Sequence, residues 1–413
     1  MPWKESSVVE QRTAFIKAYL RKEQSFSALC RYFEISRPTG YKWLGRFEEE
    51  GSDGLIDQSR APFRQAKGTP RPQLEKLVAL RERYPSWGPK KLLAFLENQH
   101  PHLPWPAAST IGEILRREGL CHPRRRRQRT IQHEQPLAHA CQPNDVWCAD
   151  FKGWFRTGDG QRCDPLTITD AQSRYLLRCQ AVERPDYDHA KPVFEAAFRE
   201  FGLPLAMRTD NGAPFASIGL AGLSRLAVWW LQLGIRPERI RPGKPAENER
   251  HERMHRTLKQ DAAQPPRSNI KEQQRAFNDF RQEYNEQRPH AALDQQTPAS
   301  QYRCSPRQYT GKLKEAEYPA WWEVRRVRKN GYFCWSKQMR FLGEVLARQT
   351  IGLEPIGDEL WRLWLFDYEL GCFCERDGKV RGLPRPPFEN RFSRPPGSLR
   401  GPQTVESTEK GKP

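Results

Sequence analysis

The sequence lacks long apolar runs and Cys-x-x-Cys pairs of cysteines. No apolar run among its 413 residues approaches the roughly 20 residues of a membrane-spanning helix, and we expect no signal peptide from the opening Met1-Pro2-Trp3-Lys4-Glu5. The 10 cysteines include no Cys-x-x-Cys pair, the usual spacing of zinc ligands. We therefore expect a cytoplasmic protein with reduced thiols and no membrane partner.

Acidic residues are scarce relative to basic ones. The chain has 69 Lys and Arg against 50 Asp and Glu, a formal net charge of +19. This surplus predicts a polyanionic partner, although ribosomal and RNA-binding proteins share the same property. The length allows several domains, each large enough for a hydrophobic core.

Three aspartates lie next to or within predicted strands. Asp150 lies in the apolar run Val146–Phe151, which is typical of a strand buried on both faces, where an ionised carboxylate needs a partner or a metal. Asp170 ends the β-branched run Leu166–Thr169, and Asp210 precedes an Asn-Gly pair. A backbone-anchored Asp150 and ordinary turn residues are the alternative interpretations when each aspartate is considered singly.

A predicted helix between residues 246 and 262 carries further acids. Met254, Leu258 and Ala262 recur every four residues and define a buried stripe. Glu249 and Glu252 then lie on the opposite face, which would also carry His255, Arg256 and Lys259. Spacing alone does not choose between the two glutamates, and a solvated helix with acid–cation pairs one turn apart explains the pattern as well.

The N-terminal region predicts a helix-turn-helix. An amphipathic helix over Phe26–Phe33 follows Ser25, and a second helix starts at Arg37 with Ser36 as its N-cap. The second helix would present its exposed side chains to the major groove of DNA. These side chains are Arg37, Thr39, Tyr41 and Lys42.

A second unit of similar type follows a polar stretch. We predict a helix over Gln73–Tyr84 and a last helix with Ser109 as N-cap and Gly119 at C′. Any three-helix bundle gives the same periodicity, so neither unit identifies DNA binding by itself. The linker that follows is basic and either neutralises phosphates or is a solvated tether; its arginines are Arg124, Arg125, Arg126, Arg127 and Arg129.

Beyond Tyr309 the pattern changes to short β segments around the turn Asn330-Gly331. These segments predict a small β-barrel whose tryptophans form its core more readily than they stack on bases. Candidate phosphate contacts are Arg325, Arg326, Arg328 and Lys329. From about Arg381 the composition predicts disorder.

Residues from about Asp145 to Tyr302 resemble the integrase-core transposases of bacterial insertion sequences, the DDE recombinases related to retroviral integrases. The likeness lies in an Asp just after a Trp in a strand, in Thr209–Gly212, and in Asn248-x-x-x-Glu252 on the last helix. A closing signature runs from Tyr284 to Leu293, followed by Thr-Pro-Ala. The His-His-Cys-Cys zinc module of retroviral integrases is missing from the N-terminus.

The resemblance implies a triad of Asp150, Asp210 and Glu252 that holds two Mg²⁺ ions, with Mn²⁺ as a substitute. Asp170 and Asn248 are accessory in this assignment, and the DNA contacts of the core are Lys244, His255, Arg256 and Lys259. It implies cleavage and strand transfer at the ends of a mobile element, with double-stranded terminal-repeat and target DNA as partners and a homo-oligomer assembled on the DNA. A nuclease that does not join strands and a helix-turn-helix regulator with a decayed core are the alternatives.

The expected fold is a multidomain α/β protein. Its parts are a helix-turn-helix domain (1–56), a linker (57–72), a second helix-turn-helix-like domain (73–120), a basic linker (121–143), a ribonuclease-H-like α/β catalytic core (144–305), a small β-barrel (306–380) and a disordered tail (381–413).

Overall fold

The computed structural model describes residues 7–57, 68–121, 137, 139–240 and 249–382. The chain divides into two compact units, Met1–Arg71 and Pro72–Pro413. Several residues singled out from the sequence lie outside the described residues, as does the tail after residue 382: Arg124, Arg125, Arg126, Arg127, Arg129, Lys244 and Asn248. None of the helices in the described part is both long and apolar enough to cross a membrane.

The first unit contains three helices that each begin after a serine cap. They are α1 (Val8–Leu20), α2 (Phe26–Tyr32) and α3 (Arg37–Glu50). The side chains of Ser7, Ser25 and Ser36 each accept a hydrogen bond from a backbone N–H in the first turn, which satisfies a donor that the helix itself leaves unpaired. The predicted cap at Ser36 is confirmed, as is a helix that begins directly after Ser25.

Gly40 allows α3 to approach α2 closely. A Cβ atom at this position would lie 2.9 Å from the Cys30 sulfur and 3.0 Å from Cζ of Phe26. Gly45, on the same helix, has no such neighbour within 4 Å. The two glycines lie on the same helix, but of the two only Gly40 lies close to another helix.

The second unit opens with a helical bundle built around a tryptophan. Its helices are α4 (Arg71–Arg83), α5 (Pro89–Gln99) and α6 (Ala108–Arg117). Trp87 is fully buried and stacks on Tyr84. The predicted N-cap at Ser109 is wrong, because α6 starts at Ala108 after Ala107, without a side-chain cap. Gly119 has φ +72° just after the helix ends, as predicted for C′.

This bundle packs directly on the residues of the closing signature. The Ser86 hydroxyl donates to Asp261 over 2.9 Å, and Arg288 donates to the same carboxylate over 3.1 Å. The Tyr84 hydroxyl donates to the Gln287 side chain. These contacts join α4 and α5 to the part of the chain that follows the predicted catalytic helix.

A mixed β-sheet forms the centre of the second unit. Its strands are β1 (Val146–Phe151), β2 (Phe155–Arg156), β3 (Arg162–Asp170), β4 (Leu176–Val182), β5 (Ala206–Thr209) and β6 (Arg236–Arg239). Strand β3 pairs antiparallel with β1, β2 and β4, while β1, β5 and β6 are parallel neighbours. Helices cover both faces of this sheet, as expected for a ribonuclease-H-like core.

Each face of the sheet has its own helices. The helices α7 (Tyr187–Phe201) and α8 (Arg225–Gln232) pack on the face that carries Trp147 and Ile168. The helices α9 (Glu249–Leu258) and α10 (Ile270–Gln282) pack on the other face, beside Leu176 and Cys179. A π-helical turn follows each of these two helices, at Lys259–Ala263 and Glu283–Gln287.

Residues at and just after the closing signature connect parts of the core through side-chain hydrogen bonds. The Asn285 side chain accepts from the backbone N–H of Leu176 and donates to its carbonyl, over 2.8 and 3.0 Å. The Tyr302 hydroxyl, just after α11 (Pro298–Gln301), donates to the Asn144 side chain, which also accepts from Trp147. The signature thus ties β1 and β4 to the end of the core.

The C-terminal strands form an open sheet, so the predicted β-barrel is wrong for the described residues. They are β7 (Glu323–Arg326), β8 (Tyr332–Trp335), β9 (Gln338–Phe341), β10 (Thr350–Gly357), β11 (Leu360–Leu365), β12 (Tyr368–Cys374) and β13 (Lys379–Arg381). The five-stranded order is β13-β12-β11-β10-β7, and β8 and β9 form a separate hairpin.

Packing against the core explains why the sheet stays open. Leu353, Leu363 and Tyr368 belong to the same buried cluster as Trp230 of α8. The Tyr368 hydroxyl donates to the Ala221 carbonyl over 3.3 Å. The apolar face of the C-terminal sheet is therefore covered by the α/β core, and the sheet does not need to close on itself to bury that face.

We expect Gly40→Ala to destabilise the first unit and Gly45→Ala to stabilise it. Alanine gains about 1 kcal/mol of helix propensity at either position, but at Gly40 overpacking against Cys30 and Phe26 costs about 1–3 kcal/mol. Hydrogen exchange of the α2 and α3 amides in the full chain measures both effects. Equal protection of the two variants would contradict this packing.

Candidate functional site

Two of the predicted acids lie at or just past the carboxyl ends of neighbouring parallel strands. Ala149 of β1 lies opposite Thr209 of β5, so Asp150 and Asp210 occupy the next position of the same register. Residues opposite each other project to the same face, and adjacent strands lie about 4.8 Å apart. Asp210 lies just past the end of β5, and we expect its carboxylate to lie near that of Asp150 at the carboxyl end of these strands.

The environment of Asp210 favours a cation. Burial raises the pKa of the Asp210 carboxyl, and a hydrogen bond from the Gly212 backbone N–H, over 3.2 Å, only partly opposes the rise. A half-buried carboxylate gains stability from a positive charge close by. Carboxylate oxygens are also the ligands that Mg²⁺ prefers.

Across the other edge of β1, a threonine connects the sheet to α9. Thr167 of β3 lies opposite Asp150, and its hydroxyl donates to the Asp150 carbonyl over 3.1 Å. The same oxygen lies 2.7 Å from Nε2 of His251 and 2.7 Å from Nε2 of His255. The Thr169 hydroxyl lies 3.1 Å from Nδ1 of His251. Helix α9 is thus held on the Asp150 face of the sheet by polar contacts.

Both histidines of α9 are buried beside Asp150. Burial lowers the pKa of His251 to about 3, and burial together with the nearby His251 and Lys152 holds the pKa of His255 well below its ordinary value. Nδ1 of His255 is 3.9 Å from a carboxylate oxygen of Asp150. Among the described residues, Asp150, His251 and His255 form a group whose ligand atoms lie within 4.8 Å of one another.

The predicted DNA contact at His255 is wrong, because its side chain is only 6% exposed and faces the sheet. Met254 and Leu258 alone do not define the buried face of α9, which also includes His251 and His255. His251 and His255 lie three residues before these two apolar positions, and side chains three residues apart are neighbours on a helix. That spacing was the available signal for both histidines.

Glu252 is exposed on α9. It lies three residues before His255, so its side chain starts from the part of the helix surface next to the Asp150 contact. Glu249 is the first residue of α9. Arg256 and Lys259 are exposed, as the sequence predicted for this helix.

Asp170, expected as an accessory residue, has a structural role in the β3–β4 turn. Its carboxylate accepts from the backbone N–H of Asn144 over 2.7 Å, and from the N–H and hydroxyl of Ser173 over 2.8 and 2.6 Å. Asp170 lies opposite Trp147, on the other parity of β1 from Asp150. Burial raises the pKa of Asp170 despite these hydrogen bonds.

Most of the side chains of α3 that were predicted to contact DNA are exposed to solvent. Arg37, Tyr41 and Lys42 are exposed at the start of α3, and Thr39 is half-buried. The Thr39 hydroxyl is 2.8 Å from that of Ser36, and the Tyr41 ring stacks on Phe26 with centroids 4.2 Å apart.

The candidate phosphate contacts near β7 are mostly exposed. Arg326, Arg328 and Lys329 are exposed, while Arg325 pairs with Glu323 over 2.7 Å and lies over the Trp335 ring. Trp335 itself is buried, and Trp321 is 62% exposed. The tryptophans of this region therefore differ in environment.

Family models match four parts of the chain. Two models described as integrase core domain match residues 140–245 and 233–298. A helix-turn-helix domain matches residues 11–63, and a homeodomain-like domain matches residues 39–115.

Two relatives come from bacterial insertion elements. The chain is 28% identical over 226 residues to the insertion element IS407 uncharacterized 31.7 kDa protein of Burkholderia multivorans, covering 54% of this chain and 78% of the relative. It is 25% identical over 250 residues to the insertion element IS476 uncharacterized 39.2 kDa protein of Xanthomonas euvesicatoria, covering 59% of this chain and 69% of the relative.

Solved structures with similarity include the HTLV-2 integrase catalytic core domain in complex with magnesium, at 16% identity and a TM-score of 0.31, covering 40% of this chain and 99% of that one. Another is the simian T-cell lymphotropic virus intasome in complex with PP2A regulatory subunit B56 gamma, at 14% identity and a TM-score of 0.34, covering 75% of this chain and 100% of that one. TM-scores this low support no inference about the site.

We expect Thr167→Val to lower the free energy of unfolding by about 1–3 kcal/mol. Valine keeps the shape of the side chain but leaves the Nε2 atoms of two buried histidines without their hydrogen-bond partner. The matched control is Thr257→Val on α9, because the Thr257 hydroxyl bonds only within its own helix. Urea unfolding of the two variants is the measurement, and equal midpoints would argue against the role of Thr167.

Proposed function

Because the chain belongs to the integrase-core superfamily, together with proteins of bacterial insertion elements, we propose that it is a DDE transposase. It binds the ends of a mobile DNA element and catalyses metal-dependent cleavage and strand transfer. The observation that carries this proposal is the parallel pairing of Ala149 with Thr209, which are followed directly by Asp150 and Asp210, on the face of the sheet that α9, the helix of Glu252, covers.

The donor set fits two Mg²⁺ ions, with Mn²⁺ as a substitute. Asp150, Asp210 and Glu252 offer carboxylate oxygens, and a partly buried acid with a raised pKa, such as Asp210, is stabilised by bound cations. Bound ions would supply Lewis-acid stabilisation of the attacking and leaving oxygens of a phosphodiester. Asn248 is proposed as an accessory residue from its place in the sequence motif.

The chain's own residues supply alignment and binding. Hydrolysis of one phosphodiester would free a 3′-hydroxyl at the element end. Attack of that hydroxyl on a target phosphodiester would form one phosphorus–oxygen bond as another breaks, so no covalent enzyme intermediate is needed. The contacts of Thr167 with His251 and His255 keep α9, and hence Glu252, in position above the strands.

DNA binding is divided between reading and positioning. Arg37, Tyr41 and Lys42 are exposed on α3, where side chains can reach base edges in the major groove. The exposed Arg256 and Lys259 can contact phosphates near the proposed active site. Thr39, Lys244 and the arginines at 124–127 are proposed as DNA contacts on sequence grounds. A homo-oligomer that bridges two element ends, in the cytoplasm, completes the proposal.

One experiment separates this function from the alternatives. The protein is incubated with terminal-repeat DNA, Mg²⁺ and a supercoiled target plasmid. Joined products support the transposase, cleavage without joining indicates a nuclease, and binding without either reaction indicates a regulator with a decayed core.

We expect Asp150→Asn and Asp210→Asn each to reduce cleavage and joining more than 100-fold while end binding changes little. Each substitution removes a carboxylate from the proposed metal site and leaves α3 intact. The matched control is Asp188→Asn, an exposed acid in the first turn of α7. Activity within tenfold of wild type in either variant would reject the assignment, since even outer partners of metal ligands contribute about 10–100-fold.

We expect Glu252→Gln to abolish cleavage in Mg²⁺ and Glu249→Gln to keep it. Glu249 starts α9, where a carboxylate stabilises a helix by roughly 0.3–1 kcal/mol through the helix dipole. Glu252 is the position that matches the family motif. Both single variants are compared in one cleavage assay, and an active Glu252→Gln beside an inactive Glu249→Gln would move the third ligand one turn towards the start of the helix.

A further inference from the structure

The group of Asp150, His251 and His255 contains ring nitrogens that the proposed carboxylate chemistry does not use. Nδ1 of His255 is 3.9 Å from the Asp150 carboxylate, and one ligand atom from each of the three residues lies within 4.8 Å of the others. The tautomer of each imidazole decides whether its Nδ1 has a lone pair.

Counting protons at Thr167 answers this question. A hydroxyl has one proton to donate, and that of Thr167 goes to the Asp150 carbonyl, which can only accept. Both imidazoles therefore donate to Thr167 through Nε2–H. In a neutral imidazole the other nitrogen then bears a lone pair, so Nδ1 of His251 and Nδ1 of His255 are both acceptors.

The two Nδ1 atoms have different surroundings. That of His251 is 3.1 Å from the Thr169 hydroxyl, which can donate to it. That of His255 faces a carboxylate oxygen at 3.9 Å, beyond hydrogen-bonding distance. Both atoms carry lone pairs, so both can serve as ligands of one cation.

The separation suits a metal ion that binds both atoms. For Zn²⁺, bonds to imidazole nitrogen and to carboxylate oxygen are each roughly 2.0–2.2 Å, so two ligand atoms 3.9 Å apart can share one ion of this size at a wide angle. A ligating histidine usually donates its other ring N–H to a fixed acceptor, which sets its tautomer. Thr167 is that acceptor for His255.

We propose that Nδ1 of His255 is an additional ligand of the cation that Asp150 holds. Imidazole suits transition-metal ions and is not among the oxygen ligands that Mg²⁺ prefers, so the resulting nitrogen–oxygen site should favour a transition-metal ion over Mg²⁺ more than a site of carboxylates alone does. Mn²⁺ is the transition-metal ion used to test this. The proposal rests on the part of the proposed function that makes Asp150 a metal ligand, and it does not depend on strand joining.

The test detects nitrogen bound to the metal directly. Full-length protein is loaded with Mn²⁺ without DNA, and pulsed electron paramagnetic resonance records the coupling of ¹⁴N nuclei to the ion. We expect an imidazole nitrogen signal in the wild type, which changes to that of ¹⁵N when histidine is labelled with ¹⁵N. The absence of a nitrogen signal from the bound ion overturns the proposal, whatever the variants do.

Two glutamine variants form a matched pair. The Nε2 of glutamine can replace the Nε2–H donor of histidine, so His255→Gln and His251→Gln both keep a donor for Thr167 and lose only Nδ1. We expect the nitrogen signal to disappear and Mn²⁺ affinity to fall at least tenfold, with a smaller loss for Mg²⁺, in His255→Gln alone. A signal that survives in His255→Gln, or that disappears in His251→Gln instead, overturns the assignment.

Asp150→Asn separates this proposal from the proposed function. Loss of Mn²⁺ binding in Asp150→Asn, without a nitrogen signal in the wild type, overturns the histidine ligand and leaves the carboxylate site standing. Undiminished Mn²⁺ binding in Asp150→Asn contradicts both, because the ion then lies elsewhere.

Discussion

The pairing of β1 with two different neighbours determines the rest of the core. On one side it is parallel to β5, with Ala149 opposite Thr209, the residues directly before Asp150 and Asp210. On the other side it is antiparallel to β3, which brings Thr167 opposite Asp150. Because side chains alternate along a strand, a slip of one residue would turn Asp150 towards α7 and Trp147 towards α9. The polar and apolar faces of the sheet would then be exchanged.

The contact between α9 and the sheet is polar at its centre and apolar beyond it. His251 and His255 bond to threonines of β3, while Met254 and Leu258 pack among Leu176 and other buried residues. Burying polar side chains is unfavourable unless they are hydrogen-bonded, whereas apolar contacts accept many arrangements. The polar contacts therefore specify one rotation and one height of the helix, and the apolar contacts supply most of its stability.

Local signals in the sequence predicted local structure well. The helix start after Ser25, the cap at Ser36 and the glycine after α6 depend on a few consecutive residues, and the structure has them as predicted. Asp150 was recognised as an acid in a buried strand, but its neighbour Asp210 and the choice of Glu252 over Glu249 came from the family resemblance. Helical periodicity alone carried no information about which of the two glutamates lies nearer the strands.

Predictions that depended on distant contacts were less successful. His255 was placed on the exposed face because the apolar stripe did not include polar residues that are buried by hydrogen bonds to β3. The β-barrel was expected from short alternating segments around Asn330-Gly331 and from the likeness to related transposases, whereas the strands form an open sheet whose apolar face packs on the core. Ser109 suits a cap, yet α6 begins one residue before it. For His255 and for the C-terminal sheet, the deciding neighbours are remote in sequence.

The hydrogen bonds of Asn285 form only after most of the chain has been synthesised. Asn285 bonds to the backbone of Leu176, on the edge strand of the core sheet, and it follows Glu252 in the chain. A ribosome that has synthesised every acid of the proposed site has therefore not yet supplied the side chain that secures this strand. Prematurely terminated products would contain the full set of acids of the proposed site but lack the Asn285 contacts that secure its edge strand.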